Sequence, residues 1–208
     1  MSKVRVTYTA LISFGSNLIS VITGLVFVII VTRSLTPEEF GTWGLISGLL
    51  AYAIIISPMV CYWSTREIAR EEKSGKTAVS TSSMLSFLGV TIYLIIAYFV
   101  AKQSNLDESV ILFAAILLPV IFLNDILIAI LRGWKTHALN YGFLAFEISK
   151  IFFVVIFVYF WNLGVWGAIA AVFASYLPSI IILLIYNIPK IKDEFNSQYV
   201  KKWFKLFW

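Results

Sequence analysis

The sequence predicts an all-α, polytopic membrane helix bundle: six transmembrane helices, then the truncated or interfacial start of a seventh. Three observations predict it. Six apolar runs, parted by short polar loops, fill nearly all of the 208 residues, and a hydrocarbon core of about 30 Å takes roughly 20 helical residues to cross. Hydrophobic residues make up 60% of the chain and charged residues 13%, with a mean hydropathy of +0.91, whereas a soluble domain carries about 25% charged residues. The runs also lack the ten-residue alternation of barrel strands. Backbone groups in lipid must pair within their own element or a closed barrel, so the runs are helices.

The first span covers residues 8–32. Lys3 and Arg5 precede it as in a signal peptide, but the run is too long and no small-x-small cleavage site follows, so it is read as a retained span. Thr9, Ser13, Ser16, Asn17, Ser20 and Gly24 share one face of it at helical spacing. That face is either a packing seam of small residues or the wall of a water-filled cavity. The second span, residues 42–62, contains Pro58 and ends beside Cys61. Ser64 and Glu67 have the spacing of a capping box in the polar elbow that follows, and Gly75 is placed to end a short helix there.

The third span, residues 79–101, opens on a serine cluster. The fourth, residues 110–131, carries Pro119, Asn124 and Asp125. The fifth, residues 141–161, carries Glu147 and Lys150, and the sixth, residues 164–188, carries Pro178. Residues 1–198 therefore form one six-helix lobe. Residues 199–208 form a basic, aromatic stub that reads as the lead-in to a seventh span, with truncation of a longer protein as the favoured explanation. Gly41-Thr42-Trp43-Gly44 and Gly164-Val165-Trp166-Gly167 echo each other at the starts of the second and sixth spans. The simplest account is an interfacial Trp beside glycines that allow close helix packing.

Net charge is +5, but its distribution argues against nucleic acid as partner. With the N-terminus in the cytoplasm, thirteen of the 16 basic residues fall on the inner side, against Arg33 and Lys102 outside and Lys150 within a span. This is the positive-inside bias of a plasma-membrane protein with both termini cytoplasmic, and anionic lipid heads are a natural partner for it. Six of the seven Trp residues flank proposed helix ends. The lone cysteine permits no internal disulfide, and the lone histidine, His137, rules out a His-rich metal site. No Gly-rich phosphate loop, Cys pair or Ser–His partnership is visible, so no enzyme and no soluble cofactor are expected.

Charges inside lipid are costly and are the first candidates for function. Asp125 lies about 10 Å above the inner interface, and Glu147 and Lys150 lie about 9 and 14 Å above Tyr141, from the helical rise. The fourth and fifth spans form a hairpin, so an ion-paired cluster of Asp125, Glu147 and Lys150 facing the interior is expected, either to bind cargo or to join helices. Asn17 and Asn124 are further candidates for a translocation path. Pro58, Pro119 and Pro178 each remove a helix hydrogen bond, freeing the carbonyls of Ile54, Ala115 and Ala174; they are candidate hinges or static kinks.

Four stretches together are similar to a known family. The run from Arg33 to Gly44, Ser64-Thr65-Arg66-Glu67-Ile68-Ala69-Arg70-Glu71, Leu131-Arg132-Gly133-Trp134-Lys135, and Leu163-Gly164-Val165-Trp166-Gly167-Ala168 occur in order along the chain. The set resembles the polysaccharide-type lipid flippases, O-antigen flippases among them, of the multidrug/oligosaccharidyl-lipid/polysaccharide exporter superfamily. The resemblance implies two helical lobes that rock around a central cavity and carry lipid-linked sugars from the inner to the outer leaflet without hydrolysis. Some members are implied to couple to Na+ or H+. This chain matches only the first lobe, so a second lobe or second chain is an implied partner, besides the lipid-linked glycan and the membrane lipids. Arg33, Arg66 and Lys150 are the cations available to a phosphate-linked sugar, although Arg33 also suits simple snorkelling and Arg66 a topological role. Two rival readings remain open: a cation-coupled multidrug antiporter using Asp125 or Glu147, and a non-transporting membrane half-protein or scaffold.

Overall fold

The structure, a computed structural model, describes residues 6–104 and 106–205. Lys3, Arg5 and Trp208, as well as the side chain of Thr9, lie outside what is described. The described chain is helical throughout, with no β-strand among the described residues. Its elements are α1 (Val6–Ser34), α2 (Pro37–Ile54), α3 (Ser57–Ala69), α4 (Gly75–Ser104), α5 (Glu108–Phe113), α6 (Leu117–Trp134), α7 (Thr136–Val154), α8 (Gly164–Ile191) and α9 (Ser197–Lys205). Five spans are long and apolar enough to cross a membrane as single runs: α1, α4, α5 with α6, α7 with its extension, and α8. The pair α2 and α3, bent by 48°, meets the same criteria when the two helices are taken together as one broken span. The chain is thus an all-α, multi-pass bundle. Arg66, Arg132, Lys190 and α9 gather at one end, called here the basic end.

Local chemistry sets the boundaries. A capping box opens α2, but at Thr36 and Glu39, five residues ahead of the expected start of the span. The Thr36 hydroxyl accepts from the Glu39 N–H at 3.2 Å, and the Glu39 carboxylate accepts from the Thr36 N–H at 2.9 Å, with Pro37 in the first turn. The box expected at Ser64 and Glu67 does not form. α3 runs through both residues to Ala69 because Val60, Ser64, Glu67 and Ile68 form its continuous buried face. Gly75 likewise opens α4 instead of closing a helix, and an added Cβ there would collide with the backbone carbonyl of Lys190.

The three span prolines behave differently. Pro58 stands in the first turn of α3, just past the 48° bend. Pro119 stands in the first turn of α6, behind a 3-10 turn at Ala114–Ile116 that links it to α5. The ring of Pro119 opposes the Ala115 carbonyl, which lies within that tightened turn. Pro178 sits inside α8, which continues unbroken around it. At the far end of α7 the chain widens into a π-helical segment, Val155–Phe160, that no residue pattern announces.

α6 is the centre of the bundle. Leu117, Leu118, Phe122, Ile126, Leu127, Ile130 and Leu131 are all nearly inaccessible. α8 packs against α7 through Gly142, where an added Cβ would come within 2.5 Å of Leu183. α1 leans on α7 and leaves Leu11, Phe14, Val21, Ile22 and Leu25 exposed, as lipid-facing residues are. The two Gly-Trp-Gly segments differ: Gly41 and Gly44 meet no atom within 4 Å, whereas at Gly167 a Cβ would lie 2.7 Å from the Phe157 carbonyl. Gly164, at φ +58°, lies against the Glu39 carboxylate, so that a larger residue there would strain the backbone and push Glu39 aside.

Residues 197–205 form an amphipathic strap across the basic end. Trp203 is fully buried in a cluster with Val60, Ile68, Ala78, Ile126 and Ile130. Lys202 pairs with the buried Glu67 at 2.7 Å, Tyr199 donates to Glu72 at 2.7 Å, and the Asn196 N–H donates to Thr77 at 2.9 Å. The Tyr199 phenol is pushed up to about 12, first by its hydrogen bond to Glu72 and then by burial. It therefore keeps its proton, and this tie, well into alkaline solution.

Two glycine substitutions test the packing. Gly142→Val forces α7 away from Leu183 and is expected to lower stability by about 1–3 kcal/mol, the usual cost of overpacking. Gly24→Ala, where no atom lies within 4 Å, is expected to leave thermal unfolding in detergent unchanged or slightly raised. Equal losses at both positions would contradict the α7–α8 contact.

Candidate functional site

Two polar centres lie within the bundle. The first joins α7 to α1. Glu147 and Lys150 are three residues apart on α7, hence on one face, and Ser20 and Thr23 are three apart on α1. Lys150 Nζ donates to Glu147 Oε2 at 2.6 Å, the Ser20 hydroxyl donates to Oε1 at 2.9 Å, and the Thr23 hydroxyl donates to Oε2. Both carboxylate oxygens are thus satisfied. The side chains of Glu147 and Lys150 are 4% and 13% exposed, so the pair is removed from solvent. The ammonium also lies over the rings of Phe146 at 5.2 Å and Phe27 at 5.9 Å, a cation–π arrangement that suits a desolvated lysine. Glu147 is about 16 Å along α7 from Thr136 by the helical rise, so the centre falls near mid-span.

The second centre lies between α3 and α6. The Ser57 hydroxyl donates to Asp125 Oδ2 at 3.2 Å. Both residues line a cavity of about 540 Å³ that also touches Pro58, Cys61, Arg66 and Arg132. Asp125 therefore does not join Glu147 and Lys150, and the expected three-member cluster is corrected to a pair. Among the described residues Asp125 has no ion-pair partner within 4.0 Å. The reason is helical phase. Consecutive residues point about 100° apart, so Asn124 turns to α8, where it accepts from Ser179 at 2.9 Å, while Asp125 turns to α3. The ring of Tyr176 on α8 lies 4.6 Å from that of Phe146, tilted by 38°.

The remaining candidates are dispersed. Asn17 is exposed on α1, one turn before Ser20, and Arg33 is exposed in the last turn of α1. Arg66 is exposed at the basic end, with its guanidinium 5.6 Å from the Trp63 ring. Ser13, on the polar face of α1, accepts from Asn140 of α7 at 3.2 Å, so that face serves at two points as a seam between helices. Sequence reasoning missed Thr23 as a partner of Glu147 and Lys202 as a partner of Glu67. Thr23 was legible in principle, since it stands one turn from Ser20 and a mid-span carboxylate needs donors. The Glu67 pairing joins residues 135 positions apart and had no local signal.

The family model described as "Polysaccharide biosynthesis protein" matches residues 7–208. No curated protein and no solved structure matches the chain.

The mid-span pair makes a specific expectation. Lys150→Met leaves the Glu147 carboxylate buried without its cation and is expected to cost on the order of 3 kcal/mol. The double variant Lys150→Met with Glu147→Gln is expected to recover most of that loss. Additive destabilisation in thermal unfolding of the four proteins would show that the two groups do not act as a pair.

Proposed function

The chain belongs to the polysaccharide biosynthesis protein family, and from that premise we propose that it flips lipid-linked oligosaccharide or polysaccharide precursors from the inner to the outer leaflet. The family match across nearly the whole chain carries this reading. The chain acts as one lobe of a polysaccharide-type flippase of the exporter superfamily, and alternating access needs a second lobe or a second chain. It is a transporter and not an enzyme, needs no soluble cofactor, and uses Na+ or H+ if its movement is ion-coupled. It resides in the cytoplasmic membrane with both termini inside, as the excess of basic residues at one end supports.

The physical problem of flipping fits such a lobe. A polyprenyl tail stays in hydrocarbon while a charged, hydroxyl-rich head crosses it. The head needs polar partners at depth whose own charges do not collapse the helices. Glu147 with Lys150, tied to Ser20 and Thr23, shows that the lobe holds charge at depth in electrical balance, bonded within itself. Bending at the break ahead of Pro58 gives α3 a means to move relative to α2.

One observation favours a second reading, a cation-coupled multidrug antiporter: the carboxylate of Asp125 borders a cavity. In that reading Asp125 accepts the coupling cation or a cationic drug.

Depletion of the protein in its own cells separates the two. The flippase reading expects lipid-linked glycan to accumulate on the inner leaflet and surface polysaccharide to fall, with efflux of cationic dyes unaffected. Normal surface glycan together with lost dye efflux would replace it with the antiporter. Normal behaviour in both assays, with a partner chain co-purifying, would point to a scaffold.

A further inference from the structure

We propose that the groove between α3 and α6 is the docking site for the phosphate–sugar head of the transported glycolipid, with Arg66 and Arg132 holding phosphate and Asp125 with Ser57 holding sugar hydroxyls. The assignment rests on the flippase reading and adds a location and a residue set to it.

The groove has two chemically distinct ends. α3 and α6 run in the same direction, so Ser57 and Asp125 mark one end and Arg66 and Arg132 the other. Arg132 is seven residues beyond Asp125, about 10 Å along the helix, which separates the two ends by roughly one sugar and its phosphate linkage. Both guanidinium groups are exposed at the basic end, and among the described residues neither has an ion-pair partner within 4.0 Å. Lys150 differs: its ammonium is bonded to Glu147 and nearly buried. Among the cations that border this groove, Arg66 and Arg132 are thus without a carboxylate partner, and guanidinium matches phosphate geometry in bidentate fashion.

The other end suits hydroxyls. A carboxylate accepts hydrogen bonds from sugar O–H groups, and the Ser57 hydroxyl, 2% exposed and already bonded to Asp125, fixes its orientation. Tyr62, Pro58 and Ile128 wall the space between and meet the apolar faces of a sugar ring. The volume, about 540 Å³, falls in the range of small-molecule sites, roughly 300–1,000 Å³. A simple cation is a poor fit because two arginines guard the approach. An acyl chain is a poor fit because it would lie on the carboxylate.

Cys61, the single cysteine of the chain, lines the same groove and provides a reporter that needs no engineering. The test measures the rate of its labelling by a small methanethiosulfonate in the purified, detergent-solubilised full chain. The probes are farnesyl diphosphate bearing one N-acetylglucosamine, farnesyl diphosphate alone, inorganic pyrophosphate, and free N-acetylglucosamine, each variant being normalised to its own unliganded rate. The glycosylated probe at ten times its Kd is expected to slow labelling about tenfold, farnesyl diphosphate less, and the two fragments least. Arg66→Gln and Arg132→Gln are expected to abolish protection by both lipid probes. Asp125→Asn, or Ser57→Ala if the former unfolds, is expected to remove only the increment due to the sugar.

Unchanged protection in the double arginine variant, or no protection by any probe at millimolar concentration, would overturn the assignment. Equal protection by inorganic pyrophosphate would overturn it too, by reducing the groove to a site for free phosphate. The two readings fail separately. Inner-leaflet accumulation in depleted cells with Cys61 unprotected sinks the groove and leaves the flippase; protection without accumulation does the reverse.

Discussion

Hydrocarbon offers no partner to a hydrogen-bonding group, and every other feature of this bundle answers to that fact. Its clearest effect is on α6. Hydroxyl, amide and phenol groups from three neighbouring helices end on backbone carbonyls of α5 and α6. Tyr93 donates to Ile111 at 2.8 Å, Ser82 to Phe122 at 3.1 Å, Asn187 to Leu127 at 2.9 Å and Thr65 to Ala129 at 2.9 Å. In a membrane such bonds average about 0.6 kcal/mol each, so their value lies less in energy than in rotation. They fix which side of α6 meets α3, α4 and α8, and so aim Asn124 one way and Asp125 another. Gly133 completes the arrangement. An added Cβ there would stand 2.8 Å from the Thr65 carbonyl, so only glycine lets α3 approach this closely.

The same constraint explains how α1 is held. Apolar packing holds its second half, where Phe27 and Val31 join the cluster of Val154 and Val158. In its first half the ties to α7 are polar: Ser13 to Asn140, and Ser20 and Thr23 to Glu147. The ion pair is therefore part of the assembly of the lobe. At the basic end the strap α9 plays an equivalent part for α3, which it grips through Glu67 and the Trp203 cluster.

Much of this architecture is legible in the sequence, and the exceptions are instructive. Length and apolarity identify spans because the bilayer imposes a length: five of the six runs overlap helices long and apolar enough to cross it, and the second falls on the bent pair α2 and α3. Partnerships are not legible where they depend on helix phase. Asp125, Glu147 and Lys150 have compatible depths, and depth is all that the chain order reveals; the 100° step from Asn124 to Asp125 decides the pairing. Ser64 and Glu67 have the spacing of a cap, but spacing is shared by caps and by helix interiors, and burial of the face chooses the interior. Pro58 stands just past the break between α2 and α3, but the proline alone does not announce a bend of 48°, since Pro178 sits inside an unbroken α8. The basic, aromatic stretch after residue 196 has the composition of an interfacial segment, yet its attachment to Glu67, Glu72 and Thr77 joins points far apart along the chain.

The widened turn at Val155–Phe160 ties length to placement. The Trp161 N–H reaches back five residues to the Ile156 carbonyl at 2.9 Å, one residue further than an α-helical bond spans. Each residue added to or removed from a helix rotates the downstream chain by about 100°. The corner beyond, with Asn162 and Gly164 both at positive φ, is in register with the Glu39 carboxylate only because of that surplus residue. A homologous chain one residue shorter here would revert to ordinary helical winding and swing the corner a quarter-turn aside. Insertions and deletions at this point are therefore not neutral changes of loop length: they would re-address the entrance to the last long helix.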